Sequence, residues 1–348
     1  MEPYVPFLLV LPKYAKLLLK ALLKHWAKAP PLDADAAHAQ PAAGAPAEAH
    51  RQAQLLAFVR VRQIALCQPH PFVEEALRSA YVAYVRACKT LHDVGSAHLA
   101  LLRSCMVELC SVDPLSTYQF AFVSIRQLAL NLRTAVLKPS KETLGTVCGW
   151  QFLHCVALWA QVVGAQPDAS QLRPLVHPLV QLVFGAVGVL PVMQYAPLRL
   201  HYVRVLHQLA AQTGVYVPTA SLLLQTLDAP ELGRRGGGAG GEKGAKPAPP
   251  PELLKSLQLK KAEIGNHETQ TAVVLDALKL LKQGAAIYAK SAAFPELAHM
   301  LVAHLRQFNK GAPSAWRMHA GGVSEHLVAS AKWAANNRRE AARQEEPH

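Results

Sequence analysis

The stretch Phe58-Val59-Arg60-Val61-Arg62-Gln63-Ile64-Ala65-Leu66 returns further along the chain as Phe122-Val123-Ser124-Ile125-Arg126-Gln127-Leu128-Ala129-Leu130. Six positions are identical and two more are conservative. Two helices with one apolar stripe and one Arg-Gln pair read as equivalent positions in stacked units, each burying its faces against its neighbours. Helical periodicity continues on both sides, and strand-like alternation is nearly absent. Helices are expected near Leu11–Trp26, Gln52–Cys67, Pro71–Leu91, Gly95–Ser111, Pro114–Val136 and Thr143–Val163. More follow near Gln171–Val187, Pro197–Gln212, Thr219–Leu227, His267–Lys290, Pro295–Phe308 and Val323–Arg343. Short Pro-, Asp- or Gly-bearing joints separate them. At Asp113-Pro114 the proline suits the first helical turn and Asp113 reads as its N-cap.

Two stretches interrupt this pattern. Residues 29–50 are Ala/Pro-rich and lack large apolar side chains, and residues 233–251 read GRRGGGAGGEKGAKPAPPP. Neither composition can bury much, so both are expected to be disordered linkers. The expected fold is all-α: a HEAT/armadillo-like α-solenoid of antiparallel helices with two disordered breaks. Its parts are a basic amphipathic helix over 1–28 packing on the array, a linker over 29–50 and a helical-repeat core over 51–232. A Gly/Pro-rich linker over 233–251 and a C-terminal helical segment over 252–348 complete it.

Composition narrows the class of function. The 348 residues are 51% hydrophobic and only 17% charged, below the typical charged share of ~25%. Lys and Arg number 36 against 23 Asp and Glu, a net charge of +13, which favours a polyanionic partner. Six cysteines without a CxxC pair read as reduced core residues of an intracellular protein. Uninterrupted apolar runs fall short of the ~18 residues that span a bilayer, and Val5–Leu11 lacks the flanks of a signal peptide. A soluble protein with no membrane partner is expected.

Chemistry-bearing motifs are missing from the sequence. The glycine-rich stretch holds no GxxxxGK[ST], and HExxH, GxSxG and EF-hand patterns do not occur. The 16 histidines are scattered without zinc-site spacing. No catalytic, metal or cofactor residue is assigned, and no small-molecule substrate is expected. The remaining signal is basic: Lys13, Lys16, Lys20 and Lys24 share one face of the first helix, opposite Ala15, Leu18, Leu19, Leu22, Leu23 and Trp26. Lys260, Lys261, Arg338 and Arg339 add candidate contacts for acidic protein or RNA phosphate. No aromatic platform for reading bases is present.

Several longer strings share a source. Asp113–Arg133, Trp150-Gln-Phe-Leu-His-Cys-Val-Ala-Leu-Trp159, Leu175–Gln181, Tyr195-Ala-Pro-Leu-Arg-Leu-His201, Thr213–Pro218 and Ala293-Phe-Pro-Glu-Leu297 resemble, in order, the signature of the nucleolar complex protein 2 family. The match covers roughly residues 5–340. It implies a HEAT-like helical-repeat protein of nucleolus and nucleoplasm, without catalytic residues or cofactor. It implies a role in large ribosomal subunit assembly, rRNA processing and intranuclear transport of pre-ribosomes, paired with other nucleolar complex helical-repeat proteins on pre-ribosomal particles; pre-rRNA phosphate is a candidate contact of the basic residues. The family usually has a long charged N-terminal extension, whereas here the family-like pattern starts almost at Met1.

The family-signature positions are Tyr118, Arg126, Gln127, Arg133, Trp150, Trp159, Pro178, Pro197, Leu198, Arg199, Phe294 and Pro295. Most are expected to hold the fold. Tyr118, Phe122, Ile125, Ala129 and Leu132 form a predicted buried stripe, as do Phe152, Cys155, Val156, Trp159 and Val163. Gln119, Arg126 and Arg133 line a second face, where an arginine fork can bridge the carbonyls of a neighbouring helix end. A scaffold in pre-ribosome assembly is the leading reading. The alternative is a transport-receptor-like solenoid carrying acidic cargo; an enzyme with an unrecognised site is third.

Overall fold

Pro114 opens a 24-residue helix because its missing N–H costs nothing there and Asp113 supplies the cap. In a computed structural model of the chain, the Asp113 carboxylate accepts the Leu115 N–H at 3.1 Å and the Ser116 hydroxyl at 2.5 Å. These bonds, that of Ser116 foremost, hold the carboxyl below its usual range. The structure describes residues 11–28, 44–68, 70–90, 97–166, 171–233 and 251–345. Among them every regular element is helical, with no strand. Packing divides the chain into two compact units, 1–182 and 183–348.

The first unit contains α1 (Pro12–Trp26), α2 (Gly44–Cys67), α3 (Phe72–Thr90), α4 (Ala97–Cys110), α5 (Pro114–Leu137), α6 (Lys141–Val147) and α7 (Trp150–Gly164). α3 is its centre, packing on α1, α2, α4, α5 and α7. α7 is buried from Phe152 to Gly164. Trp159, with 0% of its surface exposed, closes an aromatic cluster with Tyr81 and Phe120, whose rings lie 5.4 and 5.8 Å away. The predicted stripe Phe152, Cys155, Val156, Trp159 and Val163 is buried throughout.

α8 (Val176–Val189) carries the boundary between units. The second unit continues with α9 (Ala196–Thr213), α10 (Ala220–Leu227), α11 (Lys261–Ile264), α12 (His267–Tyr288), α13 (Phe294–Gly311) and α14 (Ser314–Glu345). Here α12 is central, packing on α9, α10, α11 and α14. Gln270 of α12, itself buried, donates to the carbonyls of Glu231 (3.1 Å) and Ile264 (2.9 Å) and accepts the Gly233 N–H at 3.1 Å. Leu198 N–H donates to Leu257 O at 3.2 Å, and Leu259 N–H to Gln194 O at 2.7 Å. The helices before and after the Gly/Pro-rich stretch thus belong to one unit, with the packing boundary inside α8.

Four expectations need correction. The linker expected over 29–50 ends earlier, since residues 44–50 already belong to α2. Ala, Glu, Arg and Gln favour helix, and α2 has a tertiary reason to start there. Gln54 donates to the last carbonyls of α1, Trp26 O at 3.1 Å and Lys28 O at 2.6 Å, and His50 Nε2 lies 3.1 Å from Lys28 O. These groups satisfy a helix end that otherwise leaves carbonyls unpaired. The rest of that expected break, 29–43, and residues 234–250 of the other lie outside the described residues.

The single helix expected over Thr143–Val163 is two, α6 and α7. A Cβ on Gly149 would sit 2.7 Å from the Gly145 carbonyl oxygen, so the chain turns at the one residue that tolerates the approach. α14 starts nine residues before the expected Val323, at Ser314. Its early turns contain Gly321 and Gly322, which weaken helix propensity, yet Trp316 anchors them by donating to the Thr271 hydroxyl at 2.9 Å.

The fourth correction concerns α5. Its buried face is Thr117, Ala121, Ser124, Ile125, Leu128 and Ala135. Phe122 and Ala129, expected inside, are exposed. Small residues allow α5 to approach its neighbours closely, and its hydroxyls find local partners: Thr117 donates to Cys110 O at 2.7 Å. Arg126 and Arg133 bridge no helix end. Both are exposed and make no hydrogen bond or ion pair among the described residues.

Candidate functional site

That rotation of α5 leaves an apolar face uncovered. Leu115, Gln119, Phe122, Arg126, Leu130, Arg133 and Leu137 follow one another at steps of three and four along the outer surface, all exposed. At 1.5 Å per residue the line is about 33 Å long. Val123 and Val136 flank it, also exposed. Phe122 is 48% exposed and its ring stacks on that of Tyr118 at a centroid distance of 6.3 Å, which holds an aromatic side chain ready at the surface. α5 contains no Asp or Glu, so its two arginines are the only charges on the helix. A helix apolar all round is normally buried all round, and a contiguous exposed apolar strip rimmed by polar groups marks an interaction surface.

The echo helix repeats the pattern. Val61 and Ile64 of α2 are buried like Ile125 and Leu128 of α5, and Val59 and Leu66 are exposed like Val123 and Leu130. The equivalence is partial: Phe58, its ring 6.0 Å from that of Trp26, and Ala65 are buried whereas Phe122 and Ala129 are exposed, and Arg62 and Gln63 are half-buried whereas Arg126 and Gln127 are exposed.

The signature positions divide by environment. Trp159, Pro197, Leu198, Arg199 and Phe294 are buried, and Tyr118, Trp150, Pro178 and Pro295 are half-buried. Trp150 stacks on the His154 ring at 5.7 Å. Arg126, Gln127 and Arg133 are exposed, Gln127 donating to Asn131 Oδ1 at 3.2 Å. Arg199 donates to the Thr226 hydroxyl at 3.0 Å, and burial pushes its guanidinium pKa down.

His201 joins this buried signature segment. Its Nε2 lies 3.0 Å from Ser256 O and its Nδ1 lies 3.3 Å from Arg204 Nη1. A neutral ring donating at Nε2 and accepting at Nδ1 fits both contacts. Arg204 is also paired with the Asp276 carboxylate. Burial, foremost, lowers the imidazole pKa of His201 to about 4. This segment therefore fastens residues 253–259 to α9.

Lys13, Lys16, Lys20 and Lys24 are exposed on α1, opposite buried Ala15, Leu19, Leu22, Leu23 and Trp26. Lys260 and Lys261 are exposed at the start of α11. Arg339 is exposed on α14, while Arg338 is engaged with Glu296 Oε1 at 2.7 Å and Ala292 O at 3.2 Å.

Among the described residues no group of His, Cys, Asp or Glu could hold a metal ion. All six cysteines are free thiols, and burial pushes Cys88 and Cys110 up to about 12 and Cys155 up to about 11. A groove of about 460 Å³ between α1 and α2 holds His25, His50, Lys28 and Arg60, with no carboxylate, thiol or hydroxyl among its described lining residues. Two stretches, Pro114–Leu137 and Lys141–Gly164, are apolar and long enough by composition to cross a membrane, which the uninterrupted runs of sequence do not reveal. The first has Arg126 at its middle; the second is α6 and α7, mostly buried within its unit.

The described residues are those of a helical protein with apolar side chains exposed along the outer face of α5. A family model described as the Noc2p family matches residues 71–346, and the chain belongs to that family. It is 36% identical over 238 residues to nucleolar complex-associated protein 2 of Arabidopsis thaliana, covering 68% of this chain and 30% of that protein. It is 30% identical over 257 residues to nucleolar complex protein 2 of Drosophila melanogaster, covering 74% and 33%. A nucleolar complex protein 2 homolog of Caenorhabditis elegans matches at 26% over 313 residues, covering 86% and 40%. The chain spans about a third of the length of the first two relatives. Family membership gives it a nucleolar and nuclear location.

Proposed function

We propose that the chain is a non-enzymatic scaffold in large ribosomal subunit biogenesis. It binds other nucleolar complex helical-repeat proteins on pre-ribosomal particles and supports their maturation, rRNA processing and intranuclear transport. Its helices act as a HEAT-like array, the repeated burial pattern of α2 and α5 being the trace of that repeat. The outer face of α5 carries the reading: Leu115, Phe122, Leu130 and Leu137 are exposed along a line about 33 Å long, a surface that suits a protein. RNA attraction through Lys13, Lys16, Lys20, Lys24, Lys260, Lys261 and Arg339 is secondary.

Affinity purification of the tagged chain from nuclease-treated nuclear extract at rising salt tests this. Contacts made by apolar burial persist at moderate salt, whereas phosphate contacts weaken steeply. Retention of nucleolar helical-repeat proteins at 0.3 M salt, an ionic strength with a Debye length of about 6 Å, is the expected result. Loss of all of them on nuclease treatment alone would make RNA the tether. Recovery of nucleoporins and a small GTPase instead would favour a transport receptor for acidic cargo.

A further inference from the structure

We propose that the outer face of α5 receives an amphipathic helix of a partner protein, one that sets carboxylates at seven-residue spacing beside an apolar stripe. The inference rests on the scaffold reading and names the chemistry of its contact.

Geometry comes first. Leu115, Phe122, Leu130 and Leu137 supply apolar knobs along one line, and Arg126 and Arg133 stand between them seven residues apart. A partner helix lying along α5 meets this pattern with apolar side chains on its own seam and acidic residues one heptad apart on its flank, the division of labour seen in helix-in-groove and coiled-coil contacts. Arginine suits the task because its planar fork takes a carboxylate through two parallel bonds. The tethered Phe122 ring is an aromatic anchor of the kind that dominates interface energies.

Charge then selects the occupant. α5 itself carries no carboxylate, so Arg126 and Arg133 are its only charges; Asp113 lies at its N-terminal end, and Lys138, Lys141 and Glu142 lie just beyond its C-terminal end. A second copy of this chain fits badly. Antiparallel self-pairing over the full strip sets Arg126 against the other copy's Arg126, and parallel self-pairing sets each arginine against itself; like charges at that range oppose association. A bilayer fits badly too, since insertion would carry Arg126 to the middle of the hydrocarbon. Nucleic acid would satisfy the arginines but leave Leu115, Phe122, Leu130 and Leu137 facing a polyanion. An acidic amphipathic helix satisfies both kinds of side chain.

The probes are two labelled synthetic peptides of three heptads, with leucine at the a and d positions and either glutamate or lysine at e and g. Fluorescence anisotropy against the whole chain at 0.1 M salt should show the glutamate peptide binding at least ~10-fold more tightly than the lysine peptide, given the cost of like charges across an interface. Arg126→Glu/Arg133→Glu should invert that order, with circular dichroism unchanged because both positions are exposed. Equal binding of the two peptides, no binding of either, or an order unchanged in the double variant overturns the proposal. Binding of phosphatidylserine vesicles but neither peptide overturns it in favour of a membrane. The scaffold reading fails separately, if the wild-type chain loses every nucleolar protein on nuclease treatment alone.

Discussion

Gly284 of α12 lies directly against the imidazole of His207 on α9: a Cβ at position 284 would sit 2.6 Å from His207 Nε2. The same nitrogen lies 3.0 Å from the Thr219 hydroxyl, so the ring is held between α12 and the start of α10 with little room to withdraw. Gly284→Ala is expected to destabilise the protein by about 1–3 kcal/mol, the range for overpacking a filled interior. Gly322→Ala is the control: nothing lies within 4 Å of its would-be Cβ, and alanine in a helix interior gains about 0.5–1 kcal/mol over glycine. Denaturant midpoints should move in opposite directions.

Acid should weaken the second unit. Burial, foremost, lowers both His201 and His207 from 6.5 to about 4, and Arg204 adds to the effect at each. The unfolded chain therefore binds more protons than the folded one between those values. Stability from these residues is present above the unfolded pKa near 6.5 and is lost as pH falls toward 4. The loss is about 3 kcal/mol for each ring at 1.36 kcal/mol per pKa unit. Thermal midpoints measured from pH 7 to 4.5 check this, and His207→Gln should flatten the slope.

Two aromatic residues of neighbouring helices separate the buried from the presented face. Trp159→Ala is expected to cost about 3–5 kcal/mol as a large-to-small core change. Phe122→Ala on α5 should stay within about 0.5 kcal/mol, as exposed substitutions usually do. Urea unfolding of both variants tests the reassigned orientation of α5. Equal losses would return Phe122 to the core.

Arg199 offers a fourth test. Its Nη1 donates to Thr226, and its buried Nε has no hydrogen-bond partner among the described residues. Removing the hydroxyl with Thr226→Val should destabilise the protein by about 2 kcal/mol, the scale of hydrogen bonds to charged groups. Arg199→Met, which removes the buried charge, should cost less than Thr226→Val, because the Thr226 hydroxyl left behind still donates to Leu222 O at 2.9 Å, whereas Thr226→Val leaves the buried guanidinium without that acceptor. Paired denaturation curves decide it.

Much of the helical order was legible because caps and prolines punctuate it. Asp113-Pro114 marked the start of α5, and the apolar stripe Phe152, Cys155, Val156, Trp159 and Val163 marked a core helix. Legibility stopped where tertiary contacts decide. An apolar helix such as α5 does not announce which side faces in, since Phe122 and Leu128 are equally hydrophobic. The small residues Thr117, Ala121 and Ser124, which set the close approach, carry no apolar signal. The early start of α2 depends on the α1 carbonyls it caps, a contact distant in sequence. The resemblance identified the family, but it mixed buried Trp159 and Arg199 with surface Arg126 and Arg133, because a signature records position and not environment. An uncovered face was foreshadowed by one trait: a 24-residue apolar helix carrying two arginines and no carboxylate to neutralise them in a core.

The central claim is that the outer face of α5 holds the chain to its nucleolar protein partners. The most direct measurement is affinity purification of Phe122→Asp/Leu130→Asp beside the wild type, from nuclease-treated nuclear extract at 0.3 M salt, with the thermal midpoint of each purified protein recorded. The account predicts an unchanged midpoint, because both side chains are exposed, together with loss of the nucleolar proteins that the wild type retains. An unchanged midpoint with the same proteins recovered in the same amounts would contradict it.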